Sequence, residues 1–202
     1  MYPCFFDNGD SRWFGIQQDI TERKRNQEKL RILATIDELS QLNNRRHFME
    51  LSMKEFEEAT KNQEAFAVLI LDIDRFKMVN DGWGHSAGDA VIRELGGLMK
   101  TWFHESNVLG RLGGEEFGVL IPKCSMAEAI DIADGFREEL ARTDIAYDNQ
   151  IIKVTISVGV SVYTEGVETF GEILRSADEA LYQSKIDGRN RVSQKVAGLR
   201  ER

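Results

Sequence analysis

Gly113-Gly114-Glu115-Glu116-Phe117 lies between two apolar stretches, 107–112 and 117–121, each of which reads as a short strand rich in branched or aromatic residues. The glycine pair between them reads as a tight hairpin turn. Glycine supplies the positive φ that such a turn needs, and its bare α-carbon lets a ligand approach the backbone. Two adjacent carboxylates follow, where a hairpin tip holds them at the surface. Acidic hairpin turns are common, so a chemical reading depends on what the rest of the chain brings to the same edge.

Upstream, residues 66–73 form a near-continuous apolar run, the pattern of a strand at the centre of a two-faced sheet. Its C-terminal end reads Asp72-Ile73-Asp74-Arg75-Phe76-Lys77. Alternate residues of a strand share a face, so Asp72 and Asp74 are expected to point the same way. An ionised carboxylate after six apolar residues is costly unless it is paired or binds a metal. Magnesium uses a few carboxylates, a carbonyl oxygen, waters and substrate phosphates. The plainer alternative is a strand-end aspartate that caps the following loop.

Next comes a glycine-punctuated segment, Asn80-Asp81-Gly82-Trp83-Gly84-His85-Ser86-Ala87-Gly88-Asp89, read as a loop that opens a helix. Asparagine and aspartate suit the edge of a base, because carboxylate oxygens accept from guanine amino and imino groups. On spacing alone, turn chemistry with a helix N-cap at Asp89 is the simpler account. His85 is read as a loop histidine that steadies the turn on the substrate-binding side, not as a catalytic group. Near the end, Lys185-Ile186-Asp187-Gly188-Arg189-Asn190 sets two cations around a helix C-terminus. Such cations suit the helix dipole, and a lysine and an arginine four apart equally suit triphosphate oxygens.

The remaining chain reads as a strand over 11–18, a helix N-cap at Asp19 with Glu22 three residues on, and a charged helical stretch over 22–36 with Leu30, Leu33 and Ile36 at helical spacing. A solvated connecting helix and a dimerising linker both fit that stretch. Residues 37–44 read as a loop and 74–88 as a polar segment. Helices are predicted over 45–61, 89–102, 126–141 and 170–185, strands over 145–147 and 153–163, and an edge strand over 190–193. This order implies a mixed sheet with helices on one or both faces and a ferredoxin-like topology.

Composition narrows the classes of function. The 202 residues are 42% hydrophobic and 30% charged, with a net charge of −8, which argues against a basic nucleic-acid polymer binder. Nucleotides remain compatible, because a divalent cation reverses the local field. Cys4 and Cys124 are far apart and suggest neither a disulfide framework nor a zinc site, so a reducing cytoplasm fits. The longest apolar run, 65–71, is too short to span a bilayer, and no signal peptide is visible. P-loop, HExxH and recognisable nucleophile motifs are not found.

Together these motifs, in their order, resemble the GGDEF domain of diguanylate cyclases over about 35–192. The lead-in Asp37-Glu38-Leu39-Ser40-Gln41-Leu42-Asn43-Asn44-Arg45-Arg46 is similar to the family's start, with Ser40-Gln41 in place of the usual Thr-Gly. The signature takes its GGEEF form, one the family uses in active members. The resemblance implies an α+β fold of the ferredoxin-like or nucleotidyl-cyclase palm kind, with a central, mostly antiparallel sheet flanked by helices. It also implies that two GTP molecules are joined into cyclic di-GMP by a homodimer, with a catalytically silent GTP-binding regulatory module as the alternative. Asp72, the Ile73 carbonyl and Glu115 would bind magnesium, with manganese as a substitute. By the same resemblance, Glu115, Glu116 and Lys77 would form the catalytic set. Asn80 and Asp89 would read guanine, and Asp89 favours guanine because members making adenine-containing products tend to lack it. Arg75 and Phe76 through their backbone, with Lys77, Lys185 and Arg189, would hold phosphates. The family's Arg-x-x-Asp inhibition site is replaced by His104-Glu105-Ser106-Asn107, so primary-site product inhibition is expected to be absent. Residues 13–24 resemble the exit of a PAS sensor domain. The expected organisation is thus a PAS remnant over 1–20, a linker helix over 21–36, the catalytic domain over 37–195 and a tail over 196–202.

Overall fold

Phe66–Ile73 is buried along its whole length, and a strand covered on both faces has to sit inside a sheet that is itself covered on both faces. The computed structural model of the chain describes residues 2–5, 11–14, 34–163 and 166–197. Chain order is β1 (Tyr2–Phe5), β2 (Ser11–Phe14), β3 (Asn43–Asn44), α1 (Arg45–Asn62), β4 (Phe66–Ile73), α2 (Phe76–Trp83), α3 (His85–Trp102), β5 (Val108–Gly113), β6 (Glu116–Pro122), α4 (Met126–Arg142), β7 (Ile145–Tyr147), β8 (Gln150–Ile152), β9 (Ile156–Val162), α5 (Phe170–Ile186) and β10 (Val192–Gln194). The chain divides into two units between Leu33 and Ala34. In the first, β1 and β2 pair antiparallel, with Tyr2 opposite Phe14. The helix expected over 22–36 falls outside the described residues except at its end, where 34–35 are helical and Ile36 bridges Asn43.

The second unit is built on a six-stranded sheet in the order β10-β9-β4-β6-β5-β3. Its inner pairs are antiparallel, and the two edge strands run parallel to their neighbours. The α+β class and the mostly antiparallel sheet flanked by helices are therefore as expected. Ala67, Leu69, Leu71 and Ile73 of β4 pack with α3 and α4 on one face. Phe66, Val68 and Ile70 pack with α1 and α5 on the other. This alternation is the two-residue period of a strand with a core on each side. A capping box at Ser125 and Glu128 starts α4, and the Asn44 side chain caps α1 by accepting from the His47 amide.

Several local expectations need correction. The polar segment 74–88 is mostly helical: α2 occupies Phe76–Trp83, and α3 begins at His85, not Asp89. Gly84, at φ 85°, ends one helix and begins the next, so Asp89 lies inside α3 and caps nothing. Burial of Phe76 against α3 outweighs the turn-forming composition around it. His85 is correspondingly the first residue of α3 and not a loop residue. Residues 43–44, read as loop, add β3 to the sheet edge. β7 lies where a strand over 145–147 is expected, but it pairs with an additional short strand, β8, ahead of the strand expected over 153–163, which itself starts only at Ile156.

The placement of α5 depends on Gly159 in β9. A Cβ there would lie 2.0 Å from the Ala177 carbonyl oxygen and 2.2 Å from the Leu181 amide nitrogen, both rigid helix backbone. Gly159→Ala is expected to lift α5 and to destabilise the fold by about 3 kcal/mol or more. A thermal melt shifted by less than about 2 °C would contradict that close approach.

Candidate active site

The site starts from the end of β4. Asp72 lies directly opposite Glu116 on β6 and Ser157 on β9, and directly opposed residues share a face. That face is the one that carries Val68 and Ile70 toward α5. The last turn of α5 brings Lys185 there, with its Nζ 2.8 Å from Asp72 Oδ2. Asp72 is 7% exposed. Burial pushes its carboxyl up, Lys185 pulls it down, and Glu115 and Glu116 push it up again, leaving it raised above its ordinary value. Three carboxylates close enough to feel one another, with one ammonium among them, leave an excess of negative charge for a cation to offset.

The hairpin is held by backbone and by one arginine. The Ile73 amide donates to the Glu115 carbonyl at 3.3 Å, joining the turn to the strand end. Gly114 adopts φ 51°, and the ladder shifts register between Arg111 and Gly113, as a bulge at a functional hairpin does. Arg111 donates to the Gly114 carbonyl from Nε at 3.0 Å and Nη2 at 2.8 Å, and from Nη1 to Asp37 at 3.1 and 3.2 Å. Asp37 also accepts from the Ser40 amide and hydroxyl, each at 2.8 Å. Burial raises the Asp37 carboxyl, but the two Ser40 bonds and Arg111 outweigh it and hold it below its ordinary value. This Asp37–Arg111 clamp on the signature turn was not singled out from sequence. Its only local signal is a serine three residues after an aspartate.

Asp72 and Asp74 do not act together. Asp74 lies just past the end of β4 and is fully engaged, accepting from Thr155 Oγ1 and Ser157 Oγ at 2.6 Å each and from the Asn190 amide at 3.0 Å. Its role is to tie the turn after α5 to the strand end. That turn carries Arg189, which is exposed and adopts φ 67°, its amide donating to Ser184 O at 2.9 Å. Arg75, at φ 56°, takes the N-cap position of α2. Lys77 and His85 are exposed, while Asn80 and Asp89 are half-buried on adjoining helices. The structure therefore unites Asp72, Glu115, Glu116 and Lys185 directly, and it brings the α2–α3 pair and the Arg189 turn to the C-terminal end of the same strand.

The donors suit a hard divalent cation. Among the described residues no three His, Cys, Asp or Glu side chains form a ready-made metal cluster. Magnesium needs none, since it is held by one or two carboxylates plus substrate oxygens and water. The Lys185 ammonium seated on Asp72 shows that the carboxylate already faces a cation from that side.

The family described as "Diguanylate cyclase, GGDEF domain" matches residues 34–191. The chain belongs to the GGDEF domain family. Among its curated relatives, diguanylate cyclase A of Treponema denticola is 36% identical over 171 residues, covering 83% of this chain and 46% of that protein. Diguanylate cyclase DgcM of Escherichia coli K12 is 35% identical over 184 residues, covering 91% and 44%. The chain thus spans less than half the length of these curated relatives. Among solved structures, the coiled coil and GGDEF domain of DgcB from Caulobacter crescentus in complex with c-di-GMP superposes with a TM-score of 0.82 at 29% identity, covering 88% of this chain and 94% of that one. The active GGEEF domain of a diguanylate cyclase from Vibrio cholerae gives 0.72 at 31%, covering 76% and 97%.

The raised carboxyl of Asp72 sets a stability signature. The folded GGDEF domain holds this proton to higher pH than the unfolded chain does, so ionisation of Asp72 weakens the fold as pH rises from about 4 through the raised value. Asp72→Asn is expected to melt no lower than the wild type at neutral pH and to lose that part of the pH slope. A markedly lower melt at neutral pH would mean that the Lys185 pair outweighs the burial cost. Asp37 has the opposite sign: its contribution is present above about pH 4 and is lost as pH falls through its depressed value. Asp37→Ala is expected to cost about 1.5–3 kcal/mol at neutral pH, measured by urea denaturation, and the difference from the wild type should shrink in acid.

Proposed function

We propose that this domain is a diguanylate cyclase that joins two GTP molecules into cyclic di-GMP and releases two pyrophosphates. The observation that carries the reading is the convergence of Asp72, Glu116 and Lys185 on one face at the end of β4, with Lys185 2.8 Å from Asp72. Relatives named as diguanylate cyclases, and a neighbour solved with c-di-GMP, support it. In each half-reaction a ribose 3′-oxygen bonds to the α-phosphorus of the other nucleotide. The α–β phosphoanhydride bond breaks, pyrophosphate leaves with the electron pair, and the hydroxyl proton passes to solvent base.

Asp72, the Ile73 carbonyl and Glu115 would hold magnesium, or manganese in its place. Bound there, the metal supplies Lewis-acid activation of the hydroxyl and offsets charge on the attacking and leaving oxygens. Lys185 is kept at the site by Asp72 and, with Arg189, Lys77 and the amides of Arg75 and Phe76, binds and orients the triphosphate. Glu116 sits across from Asp72 and adds to the field that draws the cation. Asn80 and Asp89 read guanine, and His85 borders them.

One domain holds one nucleotide, so the active unit is an antiparallel pair with the reaction between its members. The stretch over 21–36, expected to be a linker helix after the end of a PAS domain, is proposed to control how often two domains meet in the cytoplasm. Primary-site product inhibition is absent in this reading. His104 Nδ1 is engaged with the Ser106 hydroxyl at 2.8 Å and accepts from the Ser106 amide at 3.1 Å, and no arginine stands in its place.

Incubation with GTP and magnesium at several protein concentrations, with nucleotides separated by chromatography, tests the reading. Cyclic di-GMP is expected to form faster than linearly with protein and to fall about a hundredfold or more in Glu115→Ala. Binding of GTP without product at any concentration, including in a forced dimer, would leave a silent regulatory module. Micromolar inhibition by product that disappears in His104→Ala would refute the loss of the primary inhibitory site.

A further inference from the structure

Gly88 lies buried in α3, facing α2. A Cβ at this position would stand 2.1 Å from Asn80 Oδ1, 3.0 Å from Asn80 Cγ and 3.0 Å from Phe76 Cζ. The first distance is far inside contact, so the Asn80 carboxamide rests on the bare α-carbon of Gly88. The backbone supports this arrangement from the other end. Gly84 alone joins α2 to α3, and its amide donates to the Asn80 carbonyl at 2.9 Å. Asn80 thus has its main chain fixed by the hinge and its side chain seated on the residue next to Asp89.

Glycine at position 88 is not explained by backbone conformation. It sits within a regular helix, where glycine is less favourable than alanine by about 1 kcal/mol. The position therefore gives up helix stability, and what it gains is room for Asn80. No hydrogen bond holds the Asn80 carboxamide or the Asp89 carboxylate among the described residues, and both are half-buried. Half-buried polar groups without protein partners are poised for a ligand's donors and acceptors.

We propose that Gly88 is a positioning residue for base selection: its missing side chain sets the Asn80 carboxamide beside Asp89, so that the pair presents one hydrogen-bonding edge to guanine. The inference rests on the assignment of Asn80 and Asp89 to the base. Gly88 itself touches no substrate. Phe76, whose ring tip also meets Gly88, keeps α2 at the same spacing, so a methyl group at 88 displaces the carboxamide before it displaces the helix.

The test is a double-mutant cycle of wild type, Gly88→Ala, Asn80→Ala and the double variant, each measured for GTP and ATP affinity by calorimetry, for cyclase KM and kcat, and for melting temperature. Gly88→Ala is expected to weaken GTP binding roughly tenfold, the size of one lost ligand hydrogen bond. The loss should fall on KM far more than on kcat, narrow the preference for GTP over ATP, and leave the melting temperature level or higher. In the Asn80→Ala background the same change should add almost nothing, because Gly88 acts through that side chain. Losses that multiply in the double variant, or unchanged GTP affinity in Gly88→Ala, would overturn the proposal. Failure of the underlying reading looks different: the wild type itself would bind no GTP, or Asn80→Ala would bind it as tightly as wild type.

Discussion

A single unfavourable burial governs this domain. β4 runs through the middle of a sheet covered on both faces, and its apolar sequence is interrupted at the seventh position by Asp72. A carboxylate there costs free energy that the core does not return, and the compensation comes from outside the strand. Lys185 reaches it from α5, and the neighbouring glutamates enlarge the negative field. The position of α5 then matters for chemistry as much as for packing. Its approach to β9 through Gly159 brings the lysine within reach.

Two further aspartates show how differently one residue type is used a few ångströms away. Asp74 spends its oxygens on Thr155, Ser157 and Asn190, and Asp37 on Ser40 and Arg111. Neither has an oxygen to spare for a ligand in the way Asp72 does. Each instead fixes a turn: Asp74 the one that carries Arg189, and Asp37, through Arg111, the one that holds the carbonyl of Gly114. Both turns are thereby tied to the sheet, and pre-organisation of this kind is what a binding or catalytic site on loops requires.

Much of this was legible in the sequence, for identifiable reasons. The limits of β4 and the signature hairpin follow from strong local signals, a continuous apolar run and a glycine pair. The helical nature of 76–83 was not legible, because Asn80, Asp81, Gly82 and Gly84 carry turn chemistry that only packing against α3 overrides. Asp72 and Asp74 lie on one side, as the strand period implies, since Asp74 accepts from Ser157, the residue directly opposite Asp72; what the pattern did not reveal is that Asp74 is already occupied. The partners of Asp74 lie 81 to 116 positions away, a separation at which no sequence pattern speaks. The grouping of Asp72 with Glu115, Glu116 and Lys185 was legible only through family resemblance, since no spacing rule links those segments.

The sheet ends in β3, two residues long, and β10, three residues long. The outermost strand at each edge is therefore only a stub, and both stubs run parallel to their neighbours, the less stable pairing. Strand addition, the usual route by which exposed sheet edges recruit further chains into fibres, has little purchase on such margins. Copies of such a domain brought together by crowding are thus offered little of that route. Encounters are left to side-chain surfaces, which separate again, and not to backbone ladders, which do not.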